Sequence, residues 1–250
     1  YKGMDIGTAK PSNEQMQGIK HYLLDVIEPN QSFSVVEFKT LCLKYINKIR
    51  QKGKLAIIVG GSGLYLDAVL FDYSFRSGTG LDTNTMSDQE KLEAAQKIYG
   101  KDLLGVDAKN IRRVEQLLER GPSNSADRAS LKIPCKIVGV KLEKPLLKQN
   151  VEKRTQQMLN NGFVQEVQKL RSRYGSDCAS LKTTGYAQVG DYLDGKLTKD
   201  QLASAINTAT LRLAKKQTTW FKRNPHIDWV ADYAEASRSA GQYLSKTLVE

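Results

Sequence analysis

Cysteine, histidine and tryptophan are scarce in this chain, which has three, two and two of them among 250 residues. Cys42, Cys135 and Cys178 lie far apart with no CxxC pair. That excludes a zinc ribbon or a disulfide framework and fits a reducing compartment, with the thiols serving as small buried hydrophobes. His21 and His226 are isolated, so neither a Ser-His-Asp nor a Cys-His arrangement can be assembled around them, and no cluster of metal ligands is legible. No GxxxxGK[ST] run occurs, so the residues given hold no Walker loop. No apolar run approaches the ~20 residues of a membrane helix, and no membrane partner is expected. There is no signal-peptide pattern. The chain opens on Tyr1 rather than Met, which leaves a targeting segment upstream an open matter. A cytoplasmic location is expected, or an organellar one should such a segment precede Tyr1.

Positive charge is plentiful. The net charge is +11, and it is unevenly spread: residues 136–223 hold seventeen Lys or Arg against seven Asp or Glu. A localised basic surface suits a polyanion, because each phosphate neutralised releases condensed counterions. A merely soluble basic surface would have the same composition.

Along the chain, His21–Ile27 reads as a short strand. Ser34–Lys52 has helical spacing, with Ser34 as N-cap and Gly53 as C-cap. Leu55–Val59 is aliphatic at nearly every position, as a strand covered on both faces would be. Gly60, Gly61, Ser62 and Gly63 follow, and then a new helical start at Leu64. Helix, strand, glycine turn and helix together are the grammar of a doubly wound α/β core. Residues 72–88 read as a mobile polar loop, 88–120 as short helices, 121–131 as another polar loop and Lys136–Leu142 as a strand. The segment 76–132 therefore reads as an insertion into a core made of 1–75 and 133–250. Pro145–Arg173 is helical with a break at Asn161-Gly162. Lys199–Arg223 is the clearest helix, with an apolar stripe of Leu202, Ile206, Ala209, Leu213 and Trp220. Gln217 stands where that stripe expects an apolar residue.

Five groups could carry chemistry. Gly60, Gly61 and Ser62 sit between a strand and a helix N-terminus, where free N–H groups and the helix dipole favour a phosphate or diphosphate; a plain turn has the same composition. Tyr1–Pro11, with Lys10, reads as a loop poised to touch a ligand, or as an ordinary surface loop. Arg112 and Arg113 could grip phosphates or form a solvated face. Thr183, Thr184, Gly185, Tyr186 and Ala187 combine hydroxyls, a flexible glycine and an aromatic ring, which is what splaying and stacking a base requires. They equally describe a capped helix start. Arg212, Lys215, Lys216, Lys222 and Arg223 share a helix and could face a diphosphate or an RNA backbone; a simple amphipathic surface helix would carry the same residues.

The order of these segments is more specific than any one of them. YKGMDIGTAKPS, HYLLDVIEP, FSVVEF, GKLAIIVGGSGLYLDAVL, NIRRVEQLLERG, NGFVQEVQKL, TTGYAQVGDYLDG and LAKKQTTWFKRNP together resemble the tRNA dimethylallyltransferases (IPP transferase family), over most of residues 1–230. The resemblance implies an α/β fold with a P-loop nucleotide-kinase-like parallel sheet core, a small helical insertion that clasps tRNA, and a helical C-terminal region. It implies transfer of a dimethylallyl group from dimethylallyl diphosphate to N6 of an adenine beside the anticodon, helped by Mg²⁺, in a monomer. Ser62 takes the family's catalytic hydroxyl position, Gly60, Gly61, Ser62, Lys215 and Gln217 the diphosphate side, and Lys10, Arg112, Arg113, Gln116 and Thr183–Ala187 the tRNA side. The family's phosphate loop and general-base Asp fall ahead of Tyr1, so residues 1–250 alone are expected to show no turnover. Gln116 stands where a third Arg is usual, Ala187 where a basic residue is usual and Leu211 where an Arg is usual, which implies a weaker grip on tRNA. A transferase acting on free adenine nucleotide would not need the basic stretch. A non-catalytic RNA-binding remnant would keep it.

Overall fold

Serine and threonine caps set where the principal helices begin. Ser34 accepts a hydrogen bond from the Glu37 N–H at 3.2 Å, and the Glu37 carboxylate accepts one from the Ser34 N–H at 2.7 Å, so α1 runs Val35–Arg50. Thr198 and Gln201 make the same reciprocal pair at the start of α8, Lys199–Phe221, and Ser87 with Glu90 at α3, Asp88–Tyr99. Each such box satisfies two N–H groups that a helix end leaves without partners, a stabilisation of about 1 kcal/mol. The computed structural model describes residues 1–73, 81, 83, 85–120 and 130–247. The remaining helices are α2 Gly63–Leu70, α4 Ile111–Arg120, α5 Lys144–Asn160, α6 Phe163–Tyr174, α7 Tyr186–Leu193 and α9 Tyr233–Thr247. The expected break at Asn161-Gly162 separates α5 from α6, with Gly162 at φ 94°.

The chain divides into two compact units, Tyr1–Gly63 with Cys135–Glu250, and Leu64–Pro134. In the first, β1 (Ile137–Val140) pairs in parallel with β2 (Ile227–Val230), Ile137 opposite Ile227 and Val140 opposite Val230, and α9 packs against both strands. The architecture is α/β with a small parallel sheet and many helices. The core of this unit lies among α6, α7 and α8, where Phe163, Val167, Leu170, Tyr186, Val189, Leu202 and Ile206 enclose Met4. The Phe163 and Tyr186 rings meet edge to face at 5.0 Å, the geometry their quadrupoles favour. In the second unit α3 packs on α4 around Ala95, Leu103, Val114, Leu117 and Leu118.

Two expected strands are not strands. His21–Ile27 bends, because Leu23 and Asp25 take left-handed φ values of 64° and 53° that break an extended run. Leu55–Val59 joins no ladder among the described residues, and its larger side chains are exposed, Ile57 at 73% and Val59 at 90%. Aliphatic composition predicts coverage of both faces, but coverage needs neighbouring strands, and the described ladder is β1 with β2 alone. Of the expected loops, residues 74–80, 82, 84 and 121–129 lie outside the described residues.

Candidate active site

Helix α8 changes partners along its length. Its first half turns Leu202 and Ile206 into the core. About three turns beyond Ile206, the same face meets the glycine turn. A Cβ built on Gly61 would lie 2.2 Å from Gln217 Nε2, and one built on Gly63 would lie 2.1 Å from Trp220 Cδ1. Carbon contacts are comfortable at about 3.5–4.0 Å, so a Cβ at Gly63 would collide with a rigid ring, and one at Gly61 would have to push the Gln217 amide aside. This accounts for Gln217 in the apolar stripe: at that level the stripe faces a polar backbone turn instead of the core. Gly60 differs, since a Cβ there would meet nothing within 4 Å. Ser62 is exposed between the two packed glycines, and the free N–H groups of α2 begin beside it. The turn is thus fastened on one side by α8 and open on the other, where an anion can reach the backbone and the Ser62 hydroxyl.

The other expected anion ligand, Lys215, is exposed two residues before Gln217. Two helical residues rotate a side chain by about 200°, so Lys215 does not share the face that Gln217 and Trp220 present to the turn. Trp220 carries the Arg223 guanidinium over its ring at 4.7 Å from the centroid, and it was not singled out as a site residue from the sequence beyond its place in the stripe. Its signal is indirect: a bulky ring at helical spacing from Gln217, opposite a glycine.

The Tyr1–Pro11 loop is held from within. Lys10 Nζ donates to Asp25 Oδ1 at 2.5 Å, to the Tyr1 carbonyl at 3.1 Å and to Asp5. Burial alone would lower its pKa, but the hydrogen bonds it donates to Asp25 and Asp5 outweigh burial and raise it. Lys10 therefore closes the loop on itself with a fixed positive charge. The Glu166 carboxylate, on α6, accepts the N–H groups of Asp5, Ile6 and Gly7 at 3.0, 2.7 and 3.2 Å, and the Tyr186 hydroxyl at 2.6 Å. Glu166 has no sequence signal beyond its place within the stripe of Val164, Val167 and Leu170.

The Thr-Gly-Tyr segment enters α7 through Gly185, whose N–H donates to Gln188 Oε1 at 2.8 Å. Thr183 is exposed and its hydroxyl donates to the Ser180 carbonyl at 2.7 Å, while Thr184 and Ala187 are half-buried. Tyr186 does not offer the stacking ring its composition suggested. It is 1% exposed, and burial, with the Glu166 hydrogen bond added, pushes its phenol far above the usual range. A groove of about 350 Å³ beside this segment is rimmed by charges already paired: Arg171 with Asp194 at 2.6 Å, Lys196 with Asp191 at 3.4 Å and Lys182 with Asp177 at 3.6 Å. Paired cations are a poor anion site.

In the second unit, α4 puts Val114, Leu117 and Leu118 inward and leaves Arg112, Arg113 and Gln116 exposed. Asn110 caps the helix, its side chain accepting the Arg113 N–H at 3.3 Å. Thr83 and Lys91 bind Glu115, holding its carboxyl below the usual range, with Lys91 the main cause. The arginines on the outer face are held on a rigid, capped helix. Among the described residues no group of three or more His, Cys, Asp and Glu could hold a metal ion. The donors at the glycine turn are a hydroxyl and an amide without a carboxylate, which do not fit a protein-held Mg²⁺.

The IPP transferase family model matches residues 1–224. The tRNA dimethylallyltransferases of Bacillus mycoides (strain KBAB4) and Bacillus anthracis are each 35% identical over 247 aligned positions, covering 92% of this chain and 78% of the relative. Among solved structures, the full-length tRNA isopentenylpyrophosphate transferase of Bacillus halodurans superposes with a TM-score of 0.73 at 30% identity, over 100% of this chain and 86% of that one. A eukaryotic dimethylallyltransferase acting on tRNA shares the fold, with a TM-score of 0.74 at 21% identity over 97% and 68% of the two chains.

Proposed function

The chain belongs to the IPP transferase family, and on that footing we propose that it transfers a dimethylallyl group from dimethylallyl diphosphate to N6 of an adenine beside a tRNA anticodon. In that reaction the bond from the allylic carbon to the diphosphate oxygen breaks, a bond from N6 to that carbon forms, and diphosphate leaves with the electron pair. The N6 proton passes to a general base.

The observation that carries the reading is the close fit of Gly61 and Gly63 against Gln217 and Trp220. It holds an open turn, with the Ser62 hydroxyl and the N–H groups of Gly60, Gly61 and Ser62, against one face of a helix. Negative charge builds on the leaving diphosphate as the bond breaks, and preorganised N–H donors stabilise charge that develops there. Ser62 and the Gln217 amide orient it. Lys215 contributes at long range only. Were Mg²⁺ to accompany the diphosphate, the Ser62 hydroxyl and the Gln217 amide would not by themselves hold it.

Two surfaces carry the RNA reading, each within its own unit: Arg112, Arg113 and Gln116 on the outer face of α4, and Thr183, Thr184 and Ala187 at the start of α7. Gly185 provides the bend and Tyr186 braces it from behind. Lys10, paired with Asp5 and Asp25, supports its loop. Exposed arginines on a capped helix suit phosphate contacts, which position RNA without reading its sequence. The excess of cations in residues 136–223 favours this reading over one for free adenine nucleotide. The protein acts as a monomer on soluble RNA in the cytoplasm. The test is dimethylallyl transfer by the full-length gene product to an anticodon stem-loop, followed by mass spectrometry of the nucleosides. One dimethylallyl group on N6 of a single adenine is expected; transfer to free adenosine monophosphate in preference to the stem-loop would overturn the reading.

A further inference from the structure

The loop Asp5–Gly7 offers three successive backbone N–H groups that converge on one point, an arrangement that binds anions. The anion there is the chain's own Glu166. Oε2 accepts from Asp5 and Ile6 at 3.0 and 2.7 Å, and Oε1 accepts from Gly7 at 3.2 Å and from the Tyr186 hydroxyl at 2.6 Å. Every group pointing at the carboxylate is a donor. A glutamine could satisfy one side only, since its NH₂ would face two donors on the other. The fit is tight on the apolar side as well: a Cβ on Gly7 would lie 2.2 Å from Phe163 and 2.6 Å from Tyr186. The Thr8 hydroxyl donates to the Met4 carbonyl at 2.7 Å and Met4 is buried among α6, α7 and α8. One carboxylate therefore joins the first loop of the chain to α6 and α7, which carries the Thr-Gly-Tyr segment.

We propose that Glu166 is a positioning residue for RNA binding: it fixes Asp5–Gly7 against Tyr186 and so holds the start of α7, with Thr183 and Thr184, as a preformed surface for the anticodon loop. This rests on the functional reading above. Glu166 touches no substrate. Its effect passes through the loop it holds, and the glycine turn, fastened to α8 by other contacts, does not depend on it.

The experiment is amide hydrogen exchange at Asp5, Ile6 and Gly7, together with steady-state prenyl transfer by the full-length gene product, on wild type, Glu166→Gln and Tyr186→Phe. Wild type should protect all three amides. Glu166→Gln should release at least one side of the clamp, with exchange at those amides faster by on the order of tenfold or more. The KM for stem-loop RNA should rise by about tenfold, and the KM for dimethylallyl diphosphate should stay put. Tyr186→Phe keeps the three amide bonds and should leave residues 5–7 protected. A purely structural carboxylate would lower the melting temperature and leave the KM for RNA unchanged well below it; that outcome overturns the proposal. Free exchange of these amides in wild type overturns it without any variant, including the case where Glu166→Gln fails to fold. A wild-type enzyme that never modifies the stem-loop overturns the functional reading instead, and the clamp is then judged on exchange alone.

Discussion

Replacing each glycine of the turn with alanine separates packing from openness. At Gly63 the new Cβ would lie 2.1, 2.4 and 2.5 Å from Trp220 Cδ1, Nε1 and Cγ. Ordinary contacts need about 3.5 Å or more, and an indole ring has no flexible end to swing aside, so the turn itself must retreat by about 1 Å. Such overpacking costs about 1–3 kcal/mol, or roughly 2–12 °C in Tm for a chain of this size. Because the displaced backbone is the proposed seat of the leaving diphosphate, a shift of that size should lower kcat/KM by about 10²-fold. At Gly61 the obstacle is the Gln217 amide, 2.2 Å away, which can rotate. Stability should fall by about 1 kcal/mol or less, while the KM for dimethylallyl diphosphate rises. At Gly60 a Cβ meets nothing within 4 Å, and Gly60→Ala should melt like the parent. Circular dichroism melts and prenyl-transfer kinetics on the three variants give the order directly. If Gly60→Ala proves as damaging as Gly63→Ala, or if Gly63→Ala is silent in both assays, the packing of the turn on α8 is not what shapes the site.

Other substitutions probe the remaining parts. Gly7→Ala drives a methyl against Phe163 Cε2 at 2.2 Å and should cost about 1–3 kcal/mol in urea unfolding. Arg112→Ala and Arg113→Ala remove exposed cations; each should leave Tm nearly unchanged, weaken stem-loop binding, and reduce the slope of log K against log salt by about 1. Asp194 is held below its usual 3.8, first by the Arg171 hydrogen bond. A depressed folded-state pKa gives stability that is full above the unfolded value and fades as pH falls through and beneath it. Between about pH 5 and about pH 3, wild type should therefore lose more Tm than Asp194→Asn.

Helix boundaries were the most legible part of the fold, because the physics that sets them is local. The Ser34–Glu37 and Thr198–Gln201 boxes and the Asn161-Gly162 break lie within a few residues of the ends they determine. The expected strand Lys136–Leu142 was found as Ile137–Val140. The expectations at Leu55–Val59 and His21–Ile27 failed for a non-local reason. A ladder requires a partner, and hydrophobic composition does not report one. At the site, the glycine turn and the oddly polar Gln217 were each visible in sequence, but the packing of one against the other was not. Tyr186 was misjudged because hydroxyls beside an aromatic ring look the same facing inward or outward. Its spacing to Val189, which is buried with it, was the available clue. Lys10 looked free because its partners, Asp5 and Asp25, are brought together only by the loop they close. Glu166 escaped notice because its four donors include three backbone N–H groups, which a sequence does not reveal.

The central claim is that the glycine turn and α8 form one site for diphosphate, distinct from the surfaces that hold RNA. Calorimetric titration of inorganic diphosphate and of anticodon stem-loop RNA into wild type, Gln217→Ala and Arg113→Ala separates them. Gln217→Ala should weaken diphosphate by about tenfold with little change for RNA, and Arg113→Ala should do the reverse. Diphosphate affinity that is indifferent to Gln217 but falls with Arg113 would contradict the account.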